Sequence, residues 1–379
     1  MKTYKIAIIG YGGFGKFLHH WWRGLDRASV VAVSDESLND GENGGLLTYR
    51  HWQSLLANPE IDIVSIATPP FLHAEIACAA MRAGKHVLLE KPVAVDMQGA
   101  EAILETQRQT GKVIMVDHML RYNPIVKALI KLSREEKFGK LRHAVVTNYA
   151  QDDSLPAMHW FWDKSLSGGI FIEHGVHFFD IINALTIQKC KKVYGVSHNR
   201  NDKQEDQVSA LVLYDQGLIA THYHAFSGPG FFEETTIRLM YDLAKVEIKG
   251  WIPMTGTIRL LANEKSKDML NHLPGLQIDK VDRIADLKDV SRPEGWGNAA
   301  EATNEVVSSA GITYDVNEMI SANFEIAKSK SEVYGTCIQN ILMDLISKID
   351  NPDHMPLVTI ENAIEGLKIA VLADQQLSK

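Results

Sequence analysis

The stretch KIAIIGYGGFG, residues 5–15, limits the fold more than any other part of the chain. A short, β-branched apolar run without polar alternation is a strand buried on both faces, as in parallel sheets. It runs directly into G-x-G-x-x-G at Gly10, Gly12 and Gly15. Gly10 allows a tight turn, Gly12 lets a pyrophosphate approach the backbone, and Gly15 permits close packing of helix on strand. The helix expected over 13–25 would aim its unpaired N–H groups and positive dipole end at that anion. Tyr11, Gly13 and Phe14 complete the loop. Twenty residues past Gly15, Asp35 ends a second strand (30–35), where a carboxylate accepts from both ribose hydroxyls of an adenosine and repels a 2′-phosphate. ESLND (36–40) contains no Arg or Lys, so the cofactor expected is NAD rather than NADP. His19, His20, Trp21 and Trp22 share the first helix, and core packing is the role expected for those on its sheet side.

Strand and helix alternate through the first third. The segment 48–58 reads as a helix ended by Asn58-Pro59, 61–67 as a strand, and 71–84 as a helix closed by Gly84. A strand at 86–90, a helix at 96–110 capped by Asp96, and a strand at 112–116 follow. Such alternation means a doubly wound parallel sheet. Past RYNPIVKAL (121–129) the pattern changes. A helix follows Pro124, and strands then dominate at 141–150, 192–199, 207–215, 217–226 and 234–242, interrupted by a helix at 174–186. Residues 316–348 and 360–377 read as helical. The architecture expected is α/β: a doubly wound cofactor domain over 1–121, and an α+β domain with a large, mostly antiparallel sheet over 122–379. The C-terminal helix is free to pack back on the first domain.

At 45% hydrophobic and 23% charged over 379 residues, the composition is that of a soluble globular chain with ample core. With 47 acidic against 39 basic residues, a net charge of −8 and no basic stripe, no nucleic-acid partner is expected. No stretch approaches the length of a membrane span, and the N-terminal apolar run breaks at Gly10, too short for a signal-peptide core. Cys78, Cys190 and Cys337 share no metal or disulfide spacing, which points to a reducing, cytoplasmic setting.

Residues 88–95, LLEKPVAV, set Glu90, Lys91 and Pro92 among apolar residues. A strand interior resists Pro, and buried charges are costly unless paired or used. Open α/β sheets bind ligands outside the carboxyl ends of their strands. Lys91 is therefore expected to project from a strand end toward the nicotinamide half of the cofactor, its direction fixed by a turn at Pro92. A second cluster lies in SGGIFIEHGVHFFD (167–180). Glu173 and His177, at i and i+4, would share one helix face, and a histidine titrates near neutrality as a general acid/base should. His174 is expected in the core or in a supporting role, and Asp180 at the helix start. The spacing is not H-E-x-x-H, so Glu173, His174 and His177 are not expected to hold a metal.

In order and spacing, GYGGFG with Asp35, ATPPFLH (67–73), EKP (90–92), RYNP (121–124) and GGIFIEHGVHFFD (168–180) resemble the Gfo/Idh/MocA oxidoreductases, the glucose–fructose oxidoreductase and inositol dehydrogenase family. The resemblance covers essentially the whole chain. It implies a Rossmann domain that binds a nicotinamide cofactor and a sheet domain that covers its reactive face. It further implies that Lys91 is the active-site lysine and His177 the acid/base. Ala67, Thr68, Pro69, His73 and Glu90 would line the loop beside the cofactor. Glu173 stands where the dehydrogenases usually carry Asp, Pro70 where Asn is common, and Met119 where Asn is often found.

The implied activity is NAD-dependent hydride transfer between nicotinamide and a secondary alcohol of a sugar, inositol or related polyol. Glu173 would orient His177, and Lys91 would stabilise the developing alkoxide. Arg121, Tyr122, Trp162, Asp163 and His224 are the candidates for substrate recognition. Aromatic faces such as Trp160 and Trp162 stack on sugar C–H surfaces, with core packing the competing role. The alternatives are NAD-dependent glycoside cleavage by transient oxidation and elimination, and a non-catalytic NAD-binding sensor. Packing of the large sheet implies a homodimer or homotetramer.

Overall fold

The computed structural model describes residues 2–151, 155–286 and 306–376. Its first sheet contains β1 (Tyr4–Ile9), β2 (Ala28–Ser34), β3 (Gly41–Asn43), β4 (Leu46–Tyr49), β5 (Ile63–Ile66), β6 (His86–Leu89) and β7 (Ile114–Val116). The order is β3-β4-β2-β1-β5-β6-β7, parallel throughout except for the β3–β4 hairpin at one edge. Strand order reverses at β1, the switch point where open sheets of this kind bind ligands. Ile6, Ala7, Ile8, Ile63, Val64 and Ile66 are fully buried, as strands covered on both faces must be. Helices α1 (Gly13–Trp22), α2 (Trp52–Leu56), α3 (His73–Arg82) and α4 (Met97–Thr110) connect them. Asp96 caps α4 by accepting from the Gly99 amide at 2.7 Å, and Gly84 takes a left-handed φ of +81° just past α3.

Two expectations need correction in this part. The segment 48–58 is not one helix: Leu46–Tyr49 adds to β2 as a strand, and only Trp52–Leu56 is helical. The first helix ends at Trp22, where Arg23 turns extended.

The chain continues through α5 (Pro124–Arg134), capped by Asn123, into the second sheet. That sheet contains β8 (Leu141–Gln151), β9 (Cys190–Asn201), β10 (Gln204–Tyr214), β11 (Ile219–Gly228), β12 (Glu234–Tyr241), β13 (Ala244–Lys249), β14 (Thr255–Ala262) and β15 (Gln277–Arg283). The pair β16 (Val306–Ser309) and β17 (Ile312–Asp315) forms a separate hairpin, and β18 (Glu318–Glu325) rejoins the large sheet. Its order is β15-β18-β14-β13-β12-β8-β11-β10-β9, antiparallel except where β8 meets β11. The short α6 (Lys164–Ser167) and α7 (Val176–Leu185) lie between β8 and β9, and α8 (Glu264–Lys267) follows β14. Helices α9 (Lys330–Asp350) and α10 (Ile360–Gln375) follow β18. Position 377, where the last helix was expected to end, lies outside the described residues.

The helical reading of 316–348 is also corrected. In EMISANFE, Ile320, Ala322 and Phe324 are buried at a period of two, and the helix starts only at Lys330 behind a Ser329–Glu332 capping box.

Helix α9 packs on α1. Trp22 Nε1 donates to the Ile338 carbonyl at 3.2 Å, and Gln339 Nε2 donates to the Trp21 carbonyl at 2.7 Å. The Trp21 ring lies so close to Gly335 that a Cβ there would fall 2.0 Å from it. His19 and Trp22 are buried, whereas His20 is exposed. Helix α10 packs along α7 and also touches α4 and β7.

Candidate active site

The glycine loop has the shape that its spacing requires. Gly10 has φ +89°, and a Cβ on it would lie 2.5 Å from the Ala67 carbonyl oxygen; a Cβ on Gly15 would lie 2.1 Å from that of Gly10. Gly12 and Gly13 face open space, and no side chain caps α1, so its first amides remain available to an anion. Tyr11 Oη lies 2.6 Å from His19 Nδ1. Asp35 stands at the end of β2, its Oδ1 accepting from Ser37 Oγ at 2.6 Å and Ser37 N at 3.0 Å. These residues fit the diphosphate and ribose of a dinucleotide: a cradle that side chains would fill, and a carboxylate beside it. Arg50 is a nearby cation that a reading confined to 36–40 misses, because Tyr49 is brought to Asp35 only across the sheet (Asp35 N to Tyr49 O, 3.1 Å).

A cavity of about 290 Å³ runs from Phe14 of α1 to the start of α7. Ala67 and Thr68 reach it from the end of β5, Glu90 and Lys91 from the end of β6, and Asp117 from the end of β7. Glu173, His174 and His177 meet them from the other side, with Trp251 and Trp160. Lys91 and His177, carried by different parts of the fold, thus share one cavity.

Lys91 Nζ donates to Glu173 Oε1 at 2.6 Å and to the Glu173 carbonyl at 2.8 Å. The Lys91–Pro92 peptide is cis. Glu173 therefore does not orient His177, as the i,i+4 spacing suggested. Residues 171–175 form a π turn, in which hydrogen bonds run i to i+5, so a residue four positions on no longer completes the turn. His177 Nδ1 is buried without a hydrogen-bond partner, and Nε2 is the ring nitrogen left accessible. Burial first, and the Lys91 charge second, hold the His177 imidazole well below the usual histidine range, so it is neutral near pH 7. Trp251 meets His177 edge-on at 4.6 Å and stacks on His174 at 5.3 Å. His174 Nε2 donates to Asn148 Oδ1 at 2.9 Å, and burial lowers its pKa to about 3.

Behind Lys91, Glu90 and Asp117 are two carboxyl groups that burial raises, and the Asp117 charge pushes Glu90 further up. Both Asp117 oxygens are buried without a hydrogen-bond partner of normal geometry, so the pair is best described as sharing one proton. His73 lies outside the cavity and joins two of its loops: its ring nitrogens lie 2.6 Å from the Pro92 carbonyl and 2.9 Å from that of Thr68. Burial holds its pKa down to about 4, so the neutral ring donates to one carbonyl at a time. Pro70, rather than Pro69, lines the cavity.

All five substrate candidates lie outside this cavity. Arg121 Nε and Nη2 donate to Asp180 at 2.7 Å each, and its Nη1 donates to the Leu357 carbonyl and Asn362 Oδ1. Tyr122 Oη donates to Asp344 Oδ2 at 2.5 Å. Both are buried structural contacts that tie the start of α5 to α7 and the C-terminal helices. His224 is fully buried among His174, His222 and Phe178, with neither ring nitrogen hydrogen-bonded. Asp163 caps α6 through Ser165 and, with Trp162, lines a neighbouring cavity. The sequence reading missed Trp251, Tyr334 and Asp117. Only Asp117 carried a signal, its position just past a parallel strand. Among the described residues, no three His, Cys, Asp or Glu side chains are arranged to hold a metal ion, and no helix is long and apolar enough to cross a membrane.

Comparison with known proteins shows the family. Residues 4–118 match an oxidoreductase family with an NAD-binding Rossmann fold, and residues 126–240 match the GFO/IDH/MocA C-terminal domain. D-apiose dehydrogenase of Paraburkholderia graminis is 31% identical over 269 residues, 69% of each chain. The 2,7-anhydro-N-acetylneuraminate hydratase of Mediterraneibacter gnavus is 27% identical over 49% of this chain and 50% of its own. The chain thus spans only about half the length of some curated relatives that it matches. Among solved structures, myo-inositol 2-dehydrogenase from Lactobacillus plantarum has a TM-score of 0.68 at 19% identity, covering 99% of this chain and 97% of that one. With both of its family regions matched in order and the glycine loop, Lys91 and His177 gathered around one cavity, this chain belongs to the Gfo/Idh/MocA oxidoreductase family.

Proposed function

We propose that the protein is an NAD-dependent oxidoreductase acting on a secondary alcohol of a sugar, inositol or related polyol. The observation that carries this reading is the common cavity of Lys91 and His177 next to the glycine loop. Gly10, Gly12, Gly13 and Gly15 would hold the diphosphate, and Asp35 the adenosine ribose. When bound, the dinucleotide supplies the hydride acceptor.

The chain's own groups do the rest. His177 Nε2, neutral near pH 7, accepts the hydroxyl proton as the carbonyl forms and the carbon-bound hydrogen leaves with its electron pair. The Lys91 ammonium, fixed by Glu173, faces the oxygen where negative charge develops; one such donor is worth on the order of 3 kcal/mol of transition-state stabilisation. Trp251 and Trp160 supply apolar walls that exclude water. The reverse reduction uses the same groups in the opposite sense.

Lys91→Ala and His177→Ala should each lower kcat by ~100-fold or more, with the dissociation constant for NAD changed only a few-fold. Near-normal turnover in both variants would remove the assignment. The same assay run with NADP checks the cofactor: the Asp35 carboxylate should make NAD the better substrate by kcat/KM.

The relative named a hydratase favours a second reading, in which oxidation is transient and the electrons return to the product. Stoichiometric NADH formation supports the dehydrogenase; conversion of a glycoside or anhydrosugar without net NADH supports the second reading. We further propose a homodimer or homotetramer formed through the outer face of the large sheet.

A further inference from the structure

Two cavities meet at Trp160. One holds Lys91 and His177. The other, of about 640 Å³, lies between the segment 157–166 and the turn that joins β9 to β10, and Trp160 belongs to the wall of both. Trp162, two residues on, lines only the second. Its ring is fixed: Nε1 donates to the Pro156 carbonyl at 3.2 Å, and the Arg200 guanidinium lies 4.9 Å from the ring centroid. Asn199 and Gln204 add amide groups to the same wall. Lys164 bridges Glu205 Oε2 and Asp374 Oδ1, at 2.8 Å each. Glu205 is buried and held by Lys164.

Aromatic faces beside planar amides and acidic side chains are the chemistry that recognises a polyhydroxylated ring. The charge on the wall argues against an anion. Among the described residues of the wall, Asp163, Asp202 and Glu205 outnumber Lys164 and Lys203, so a phosphate or carboxylate gains little there. Size argues for a second unit. The Lys91–His177 cavity, at about 290 Å³, sits at the lower bound of small-molecule pockets, ~300 Å³, and leaves no volume for another ring.

We infer that the substrate is a neutral glycoside of at least two units: the ring that is oxidised lies beside Lys91 and His177, and the second unit lies against Trp160 and Trp162. The inference rests on the redox reading above and adds the size of the substrate to it. Binding energy from the remote unit then holds the reacting ring in place.

The test compares monosaccharides with disaccharides built from them, α- and β-linked, following NADH and product together. At least one disaccharide should exceed its constituent monosaccharide in kcat/KM by ~10-fold, chiefly through KM. Gln204→Trp, at the mouth of the second cavity and away from the reacting groups, should raise the disaccharide KM by ~10-fold and leave the monosaccharide KM within ~2-fold. Asn199→Ala, an exposed position, should move the two KM values apart in the same sense. Equal turnover of mono- and disaccharides, or variants that shift both alike, would overturn the inference while leaving the redox reading intact. If no sugar reduces NAD, the redox reading fails by itself. Saturation-transfer NMR of the same disaccharides with the NAD-loaded protein then decides this inference, and contacts unaffected by Gln204→Trp, or absent altogether, overturn it.

Discussion

Lys91 stands out in the sequence because a charge before Pro, at the end of an apolar strand, needs a reason. Its partner did not stand out. Glu173 looks like a companion of His177 by spacing, yet it binds the Lys91 ammonium, because a π turn breaks the helical register there. Glu173→Gln keeps an oxygen acceptor and removes the charge. It should lower kcat by ~10-fold or more, because the ammonium is then held by a weaker, uncharged acceptor and sits less firmly at the reacting oxygen. Glu173→Asp should restore part of that loss. A Glu173→Gln variant with the parent's kcat would show that the pair only supports the fold. Arg121 illustrates the opposite error. An Arg in the RYNP motif, expected to face the cleft, reads as a substrate ligand, but its partner Asp180 is 59 residues away, and only the folded chain reveals the pair.

Among the elements, the strand–loop–helix start was legible because three independent constraints coincide there: buried strand, glycine spacing and a spaced carboxylate. The segments 48–58 and 316–348 were misread because each places a short strand directly before a helix, and apolar residues in so few positions satisfy either period. The strands β13, β14 and β15 carried no signal strong enough to be named. The large sheet has one face under α7 and one facing outward. Val145, Thr147, Tyr149, Ile219, Tyr223, Tyr194, Val196 and Met240 point outward in matching register across β8, β11, β9 and β12. Tyr149, Tyr194, Val196, Ile219 and Met240 are each more than 40% exposed, a broad apolar face for a chain to leave in water. Sedimentation equilibrium should show a dimer or tetramer, and Ile219→Lys with Tyr223→Lys should shift it toward monomer while the circular-dichroism spectrum stays unchanged. A parent protein that sediments as a monomer would defeat the proposal.

Across the whole molecule, the two halves are joined by a core unusually rich in imidazole. His73, His118, His177, His222 and His224 are buried and His174 is half-buried, and burial lowers the pKa of each. Unfolded, each would titrate near 6.5. Below that pH the unfolded chain binds protons that the native state refuses, so stability present above about pH 6.5 is lost as pH falls, at up to ~1.4 kcal/mol per pH unit for each histidine. Glu90 and Asp117, raised by burial, act in the opposite sense, but they are two against six. The melting temperature should therefore fall by more than ~10 °C between pH 7 and pH 5, and a constant melting temperature over that range would contradict the neutral-core picture.

The packing of α9 on α1 has a further consequence. Tyr334, which lines the Lys91–His177 cavity, and the carbonyl of Leu357, which holds Arg121, both lie beyond residue 330. During translation the glycine loop leaves the ribosome long before them and waits, unroofed, until α9 and α10 follow. The nascent chain can begin to fold around its nucleotide cradle early, but the cavity that faces it takes shape only after α9 has packed on α1.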